Sequence, residues 1–471
     1  MSDKRQKNQL ADGGNAGSNQ QMVLAWDQEP KGEARRDLRT GTESSMAKRI
    51  AESPAFGKQW MEEICGRDNC QQALARVKAN RGSPGVDGMT VQQLPDFLKE
   101  HWLPIREQLL RGSYKPQPVK RVEIPKPGGG VRKLGIPTVL DRFIQQAVMQ
   151  VVQRSWDRTF SDHSYGFRPG RSAHQAVAQA QKYIADSYRW VVDLDLEKFF
   201  DRVNHDRLMA KLAERIEDRR LLRLIRTFLQ AGVMENGLVN PVDEGTPQGG
   251  PLSPLLSNIV LDEMDRELEK RGLRFVRYAD DCNIYVGSRR AGERVMAGLT
   301  AWLTAKLRLK VNQQKSAVAR PWVRKFLGFS FTKAGIPKRR IAPQAVDRFK
   351  KRVRELTRRT RGISIEQMVD ELARYLRGWL GYFGRCETPS VLRELGEWTR
   401  HRLRSVVWKQ WKFGRRRFVE LRHRGVKGDL AAQTAGSPHG PWRIGNSPAL
   451  GIALPTTYFE SLGLPQFLLV Q

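Results

Sequence analysis

The sequence predicts an α+β domain followed by an all-helical, strongly basic domain. Two short apolar runs typical of β-strands, residues 189–200 and 274–286, each lead into acidic residues in the middle of the chain. Helical apolar periodicity surrounds both runs, and beyond about residue 335 only helical patterns remain. We therefore expect a sheet with helices on one face, followed by a domain built from helices alone.

The N-terminal part combines a polar leader with a helical segment. Residues 1–48 are rich in Gly, Asn, Gln, Ser and charged residues, which predicts a disordered leader. Residues from about 56 to 110 have helical periodicity that is interrupted by the turn-rich segment RGSPGVDGMT (81–90), whose Pro and Gly residues break regular structure.

Residues 111–335 mix strand and helix patterns. The segment VKRVEIPKPGGGVRKLGIP (119–137) alternates around three glycines and predicts a β-hairpin, and residues 138–155 have the periodicity of a helix. Residues 206–231 are predicted to be helical, and residues 236–268 pass from a Gly- and Pro-rich loop into a helix.

The last third of the chain is basic and helical. Residues 338–427 hold 26 Lys and Arg against 9 Asp and Glu, a net charge of +17 in a fifth of the chain. Apolar residues at helical spacing form two stripes, Val346, Phe349, Val353 and Leu356 in the first and Leu372, Tyr375, Leu376 and Trp379 in the second. Each stripe predicts a helix with one buried face.

Composition indicates a partner of negative charge. The 471 residues contain 82 Lys and Arg against 50 Asp and Glu, a net charge of +32, which attracts polyanions such as nucleic acid. The alternative is a basic protein whose charge serves only solubility. Four cysteines without a CxxC pair make no disulfide framework, and no run approaches the ~18 apolar residues of a membrane span. We therefore expect a cytoplasmic protein with no membrane partner.

Two adjacent carboxylates, Asp280 and Asp281, lie at the centre of RFVRYADDCNIYV (274–286). Asp tolerates turn geometry, so a purely structural role in a hairpin is one interpretation. The other is a divalent cation that offsets their repulsion, since Mg²⁺ prefers oxygen ligands and two such ions promote phosphoryl transfer. Asp195 follows the other strand-like run, and one acid at a strand end beside a paired-acid hairpin is typical of polymerase palm domains.

A series of longer motifs gives these acids a context. In chain order they are RKLGIPTVLDRFIQQAV (132–148), SYGFRPGRSAHQAV (164–177), VVDLDLEKFFDRVNHD (191–206), GTPQGGPLSPLLSNIVLDE (245–263), RYADD (277–281), LKVNQQKS (309–316), KFLGF (325–329), YLRGWLGYFG (375–384) and GPWRIGNSPAL (440–450). Together they make residues 50–471 resemble the bacterial group II intron-encoded reverse transcriptases and maturases.

The resemblance implies a right-hand polymerase with these boundaries. The leader would be followed by an N-terminal extension (49–110) with a loop over the template, fingers and palm (111–335), a helical thumb or maturase X domain (336–420) and a short DNA-binding region (421–471). No cysteine follows Cys386, so the paired CxxC motifs of an HNH endonuclease are absent from this sequence. That pattern resembles the endonuclease-lacking subclass.

The implied catalytic and metal-binding set is small. Asp195, Asp280 and Asp281 would be the catalytic carboxylates, and the Leu196 carbonyl would be a further metal ligand. The cofactor would be two Mg²⁺ ions, with Mn²⁺ as a substitute. Asp193 is a weaker candidate, and Asp201 is interpreted as the cap of the following helix.

The resemblance also implies nucleotide contacts. Phe200 would lie beneath the incoming sugar and exclude a 2′-hydroxyl, with a core aromatic as the alternative. Lys126 and Arg132 would hold the triphosphate, because Arg can pair with phosphate oxygens in bidentate fashion. Gln248 would contact the nucleotide, and Lys315 would be a general acid or a plain surface lysine.

Several roles outside the nucleotide site remain open on the sequence alone. Arg168 would contact the template or form an internal salt bridge. Five aromatic residues are interleaved with Lys and Arg in the basic domain, and most of them are predicted to form its core while a minority stack on bases: Trp379, Tyr382, Phe383, Trp408 and Trp411.

The implied function is RNA-directed DNA synthesis together with splicing and retrohoming of a bound intron RNA. The partners would be intron RNA, an RNA template with a DNA primer, a DNA target and dNTPs, in the nucleoid or RNA-associated part of a bacterial cytoplasm. The alternatives are an RNA-binding splicing factor with a vestigial polymerase, and a reverse transcriptase of another class such as a retron or defence-associated enzyme.

Overall fold

The structure is a computed structural model that describes residues 59–125, 130–235, 238–240, 245, 249–333 and 335–468, with only the backbone of Arg132. The chain forms two compact units. The first unit lies within residues 1–158 and 200–259, and the second unit within 159–199 and 260–471. The predicted leader, 1–48, lies outside the described residues.

The helices in chain order are α1 (Trp60–Ile64), α2 (Arg67–Asn80), α3 (Leu94–Arg111), α4 (Val139–Trp156), α5 (Ala173–Ala185), α6 (His205–Ala213), α7 (Arg219–Leu229), α8 (Ser253–Lys270), α9 (Arg289–Trp302), α10 (Pro343–Leu356), α11 (Ile365–Phe383), α12 (Pro389–Gln410), α13 (Gly414–His423), α14 (Gly428–Ala435), α15 (Pro441–Ile444), α16 (Pro448–Ala453) and α17 (Thr456–Ser461). The strands are β1 (Val119–Pro125), β2 (Val131–Ile136), β3 (Trp190–Leu194), β4 (Val233–Glu235), β5 (Leu238–Asn240), β6 (Arg274–Tyr278), β7 (Asp281–Val286), β8 (Ala317–Ala319), β9 (Phe329–Phe331) and β10 (Arg339–Ile341). None of the helices among the described residues is both long enough and apolar enough to cross a membrane.

The first unit packs helices beside a small sheet. Strands β1 and β2 pair antiparallel, which confirms the predicted hairpin, and the sheet has the order β2-β1-β4-β5. Helix α4 confirms the predicted helix, and it begins where the Thr138 side chain accepts a hydrogen bond from the Asp141 amide. Its apolar face, with Phe143 and Val148 fully buried, packs against α1 and α2.

The prediction that residues 206–231 are helical is confirmed, with one interruption. Two helices, α6 and α7, occupy this stretch, and residues 214–218 separate them. Asp218 accepts a hydrogen bond from the Arg220 amide and thereby starts α7. The side-chain cap supplies the amide partner that a continuing helix would otherwise provide.

The second unit is built on an antiparallel sheet of order β6-β7-β3-β8. Helix α5 packs on β6 and β7, whereas α9 packs on β3, β7 and β8. The neighbouring residues Val191 and Val192 point to opposite faces of β3, and both are buried. The expectation of helices on one face is therefore wrong, because the central strand is apolar on both faces.

The helical domain follows the β9–β10 hairpin. Helices α10 to α17 share one hydrophobic core that contains Phe349, Val353, Leu372 and Leu376, while Val346, Leu356 and Tyr375 pack at its edge. Both apolar stripes are thereby confirmed as buried helix faces. Trp379, Trp408 and Trp411 also lie in this core. Tyr382 and Phe383 are partly buried, with ring centroids 5.6 and 5.3 Å from that of Phe329.

Candidate active site

The acidic pair occupies a tight hairpin turn in the second unit. Tyr278 and Asp281 form the last pair of the β6–β7 ladder, so Ala279 and Asp280 make the two-residue turn. Ala279 has φ 57°, in the left-handed region that short hairpin turns require. Asp280 is exposed at the tip of the turn.

The strand register brings Asp195 beside this turn. The last pair of the β3–β7 ladder joins Leu194 to Cys282, and the next positions along the two strands are Asp195 and Asp281. Residues opposite each other across an antiparallel pair share a face of the sheet, and so do residues two apart. Asp193, Asp195 and Asp281 therefore lie on one face.

The local electrostatics fit a bound cation. Withdrawal from water, together with the charges of Asp193, Asp280 and Asp195, raises the pKa of Asp281 to about 8. A divalent ion would offset this repulsion, and oxygen is the ligand that Mg²⁺ prefers. In the described part of the chain, no three His, Cys, Asp or Glu side chains form a set that could hold a metal ion on their own. Mg²⁺ commonly uses one or two carboxylates and takes its other ligands from water and substrate phosphates.

The loop 309–316 supports the predicted ligands from the side. Leu196 and Val311 form an isolated antiparallel bridge, whose hydrogen bonds run from the Asn312 amide to the Asp195 carbonyl and from the Glu197 amide to the Lys310 carbonyl. Neither bond uses the Leu196 carbonyl. The Nζ of Lys315 lies 3.6 Å from Oδ2 of Asp195, and its side chain is 66% exposed.

Arg324 is a site residue that the sequence analysis missed. Its Nε donates to Oδ2 of Asp193 at 2.7 Å, and its Nη2 donates to the Lys315 carbonyl at 2.5 Å. Burial raises the pKa of Asp193, and the Arg324 guanidinium opposes that rise. Arg324 thus ties Asp193 to the loop that carries Lys315.

Arg277 anchors the turn from beneath, and its role was also missed. Its Nε and Nη2 donate to the two carboxylate oxygens of Asp265 on α8, at 2.7 and 2.5 Å. Its Nη1 donates to the Ala279 carbonyl at 2.9 Å. The sequence carried one signal for this role, which is an arginine between apolar residues of a predicted strand. A cation buried at such a position needs a buried partner.

The segment that carries SYGFRPGR packs against the same turn. A Cβ on Gly166 would lie 2.2 Å from the Ala279 amide nitrogen, so only glycine allows this approach. The Tyr165 amide donates to the Arg277 carbonyl at 2.9 Å. Arg168 is buried and donates to the carbonyls of Ser161 and Ser164. These contacts give Arg168 an internal role, directed to backbone carbonyls.

The first unit holds the predicted sugar-contact residue Phe200. Phe199 is buried, and Phe200, in the turn Phe199–Asp201, is partly buried. Gly245 packs on this turn, since a Cβ there would lie 2.9 Å from the Phe200 carbonyl oxygen, and its own carbonyl is 2.6 Å from Nε2 of His205. The start of the GTPQGG loop is therefore attached to the Phe200 turn.

Three nucleotide-site predictions fall outside what the structure describes, and one cap is corrected. Lys126 and Gln248 are not among the described residues, and the Arg132 side chain is not described. The assignment of Asp201 as a helix cap is wrong, because Asn204 caps α6 by accepting from the Arg207 amide. Asn204 is the residue immediately before the helix, where a side-chain oxygen reaches the free amides.

Two parts of the chain match known protein families. Residues 124–331 match the family described as reverse transcriptase (RNA-dependent DNA polymerase), and residues 346–425 match the group II intron maturase-specific domain. Protein YkfC of Escherichia coli is 34% identical over 274 residues, covering 50% of this chain and 72% of that protein. The chain belongs to the group II intron reverse transcriptases.

Two further relatives show how much of the family's length is represented. Group II intron-encoded protein LtrA of Lactococcus lactis is 36% identical over 206 residues, covering 44% of this chain and 34% of LtrA. The putative COX1/OXI3 intron 1 protein of Saccharomyces cerevisiae is 25% identical over 407 residues, covering 74% of this chain and 48% of that protein. The chain thus spans about a third to a half of these two relatives.

The family matches also bear on the fold prediction. The reverse transcriptase match covers the α+β part, which includes the β3, β6 and β7 sheet, and the maturase-specific match covers α10 to α13. The prediction of an α+β polymerase followed by a helical maturase domain is confirmed. Reverse transcriptases of this family use divalent metal ions.

Proposed function

We propose that this reverse transcriptase copies RNA into DNA at the turn formed by Ala279 and Asp280, with Asp195, Asp280 and Asp281 as its catalytic carboxylates. The observation that carries the proposal is the register that sets Asp195 opposite Asp281 on one face of the sheet. Asp280 and Asp281 reach the same place from the hairpin.

The proposed cofactor is a pair of Mg²⁺ ions, which Mn²⁺ can replace. Asp195, Asp280 and Asp281 would hold them, together with the Leu196 carbonyl, which the bridge to Val311 leaves unused. Bound there, the ions would activate the primer 3′-hydroxyl and stabilise the leaving pyrophosphate. The raised pKa of Asp281 supports this assignment, because a cation would restore its charged form.

The remaining roles concern the incoming nucleotide. Phe200 would exclude the 2′-hydroxyl of rNTPs, Lys126 and Arg132 would hold the triphosphate, and Gln248 would contact the nucleotide. Lys315 would protonate the leaving pyrophosphate. Its Nζ lies 3.6 Å from Asp195 Oδ2, and Arg324 fixes its backbone, which supports a place beside the reacting phosphates.

The proposed partners are the intron RNA, an RNA template with its DNA primer, a DNA target and dNTPs. The maturase-specific match and the +17 charge of residues 338–427 support binding of the intron RNA, through phosphate contacts. Residues 49–110 would lie along the template, 336–420 would form the thumb, and 421–471 would bind the DNA target. The maturase match favours this function over that of a retron or defence-associated enzyme.

Primer extension on an RNA template tests the polymerase directly. With Mg²⁺ and dNTPs, the wild-type protein should synthesise DNA, and Asp280→Asn should lose on the order of 10³-fold or more in rate. Asp347→Asn, which removes one exposed carboxylate from α10, is the matched control and should retain full rate. RNA binding should survive in Asp280→Asn. If the wild type binds intron RNA and promotes splicing but makes no DNA with any metal, the protein is a splicing factor.

A further inference from the structure

Phe167 is an exposed aromatic residue in a backbone conformation that aromatic residues avoid. Its φ is 59°, in the left-handed region, and the residue is 47% exposed. Such a conformation is costly for a bulky residue and persists only where the surroundings impose it. About half of the residue stays exposed, so part of the ring is available to a ligand.

The contacts on both sides of Phe167 impose that conformation. Before it, Gly166 packs against the Ala279 amide, where a Cβ would come within 2.2 Å. After it, the buried Arg168 guanidinium donates to the carbonyls of Ser161 and Ser164 at 2.5 and 3.0 Å, and lies 5.5 Å from the Phe160 ring. The loop is therefore fastened so that the Phe167 ring is held beside the catalytic turn.

The ring of Phe167 continues the surface of that turn. Its centroid lies 6.4 Å from the centroid of Tyr278, with an angle of 45° between the planes. Tyr278 immediately precedes Ala279 and Asp280 in the chain. The two rings together form an aromatic surface, which we call the turn platform, next to the carboxylates.

We propose that the turn platform, Phe167 with Tyr278, bears on the sugars and base edges of the RNA–DNA duplex at the primer end. The inference rests on the proposed function, because a primer 3′-hydroxyl that reacts at Asp280 and Asp281 brings the end of the duplex to this turn. A ring whose centroid lies 6.4 Å from that of Tyr278 is close enough to the turn to contact the terminal base pairs.

The chemistry of the duplex fits an apolar contact that ignores sequence. A-form helices have a wide, shallow minor groove that displays sugars and base edges. The sugars displayed there are the same whichever base they carry, so an aromatic ring packed on them has no preference for one base. The platform would thus hold any template sequence, as a polymerase must.

The variant Phe167→Gly removes the aromatic ring but allows the backbone to keep its positive φ at this position. Glycine adopts a positive φ without strain, which offsets part of the lost ring contacts, so this variant should still fold. We expect the KM for a recessed RNA–DNA primer–template to rise about tenfold and processivity to fall, with the KM for dNTP unchanged. Phe167→Tyr should restore both. Leu238→Ala, which removes an exposed apolar side chain of β5 outside the platform, should behave as wild type.

The readouts keep this inference apart from the polymerase assignment. Binding of the same duplex, followed by fluorescence anisotropy, needs no synthesis, so a tenfold weaker Kd in Phe167→Gly would support the platform even if the wild type made no DNA. Wild-type KM, Kd and processivity in an active Phe167→Gly would overturn it. A loss confined to kcat would overturn it in favour of a role in positioning the turn. An equal loss of binding to single-stranded RNA would exclude the duplex as the ligand.

Discussion

The guanidinium of Arg277 and the carboxylate of Asp265 form a two-bond pair with both side chains fully buried, and Nη1 of Arg277 donates to the carbonyl of Ala279 in the β6–β7 turn. Burial lowers the pKa of the Arg277 guanidinium, but the charge and the hydrogen bonds of Asp265 oppose this effect. The pKa is higher than usual overall, and the guanidinium therefore stays charged inside the protein. The pair joins α8 to the turn that carries Asp280.

Breaking this pair should cost more than replacing it. Arg277→Met or Asp265→Leu alone should each destabilise the protein by about 3–5 kcal/mol, because each leaves one buried charge without its partner. The double variant should be less destabilised than the sum of the two, and urea unfolding of all four proteins measures the difference. The double variant should synthesise DNA more slowly than the wild type, because the Ala279 carbonyl has lost its hydrogen-bond donor. Additive losses would show that the two side chains do not depend on each other.

Gly166→Ala should disturb the turn without touching any charged group. The added Cβ would meet the Ala279 amide nitrogen at 2.2 Å, and its nearest neighbours are all backbone atoms of Tyr278 and Ala279, which cannot rotate away as a side chain could. A displacement of about 1 Å at the turn is enough to lower kcat by roughly 10²-fold. Single-turnover extension with saturating primer–template and dNTP measures that rate.

The control for this glycine lies at the other end of strand β7. A Cβ on Gly287 would have no neighbour within 4 Å, so Gly287→Ala should leave kcat unchanged. If Gly166→Ala also extends primers at the wild-type rate, the contact between its loop and the turn has no part in catalysis.

The sequence predicted those features of the site that depend on local pattern. Two apolar runs that end in acids are enough to predict strand β3 and the hairpin, because period-two burial and turn chemistry act over a few residues. The contact of Gly166 with Ala279 joins residues more than 100 positions apart, and no local pattern reports it. The helix cap at Asn204 shows a different limit, since Asp201 and Asn204 are both good cap residues and only the observed start of α6 decides between them.

Phe200→Ala should relax sugar selection. If the ring blocks a 2′-hydroxyl, its removal should lower the preference for dNTPs over rNTPs by about tenfold or more in kcat/KM. Its neighbour Phe199 is buried and is the matched control. Phe199→Ala should destabilise the fold by about 3–5 kcal/mol and leave the preference unaltered. Unchanged selection in Phe200→Ala would reduce Phe200 to a packing residue.

RNA affinity should depend steeply on salt. If the helical domain binds RNA through phosphates, raising monovalent salt from about 50 to about 200 mM should weaken Kd by roughly 10³-fold or more. The exposed pair Arg358 and Arg359 after α10 offers a sharper test. Replacing both with Gln should lower the slope of log Kd against log salt by roughly 1.4, at about 0.7 per contact.

The matched control for salt dependence removes two exposed cations outside the helical domain. Lys270→Gln with Arg290→Gln changes the net charge by the same amount at exposed positions of α8 and α9. This control should leave the slope nearly unchanged. Equal slopes in both double variants would mean that RNA binding depends on the net charge of the protein and not on contacts with the helical domain.

Glu387 should make the attachment of the helical domain sensitive to acid. Its Oε2 accepts hydrogen bonds from Gln181 on α5 and from the Arg339 amide, both at 2.7 Å, and its Oε1 accepts from Arg339 Nη2 at 2.9 Å. Burial alone would raise the pKa of Glu387, but the Arg339 and Gln181 donors lower it below 4.5 overall. A folded-state pKa below the unfolded value gives stability that is fully present above the unfolded pKa and is lost as the pH falls through the folded pKa.

Glu387→Gln should therefore lower the stability by roughly 1–2 kcal/mol at pH 7, and the difference from wild type should shrink below about pH 4.5. Thermal unfolding at pH 7.5 and at pH 4 measures the difference in Tm between the variant and the wild type at each pH. Glu293→Gln removes a carboxylate from an exposed surface pair with Arg289, which contributes little, so its gap should be small at both pH values. A Glu387→Gln gap that stays constant or widens on acidification would mean that the ionised carboxylate does not hold α5 and β10 together.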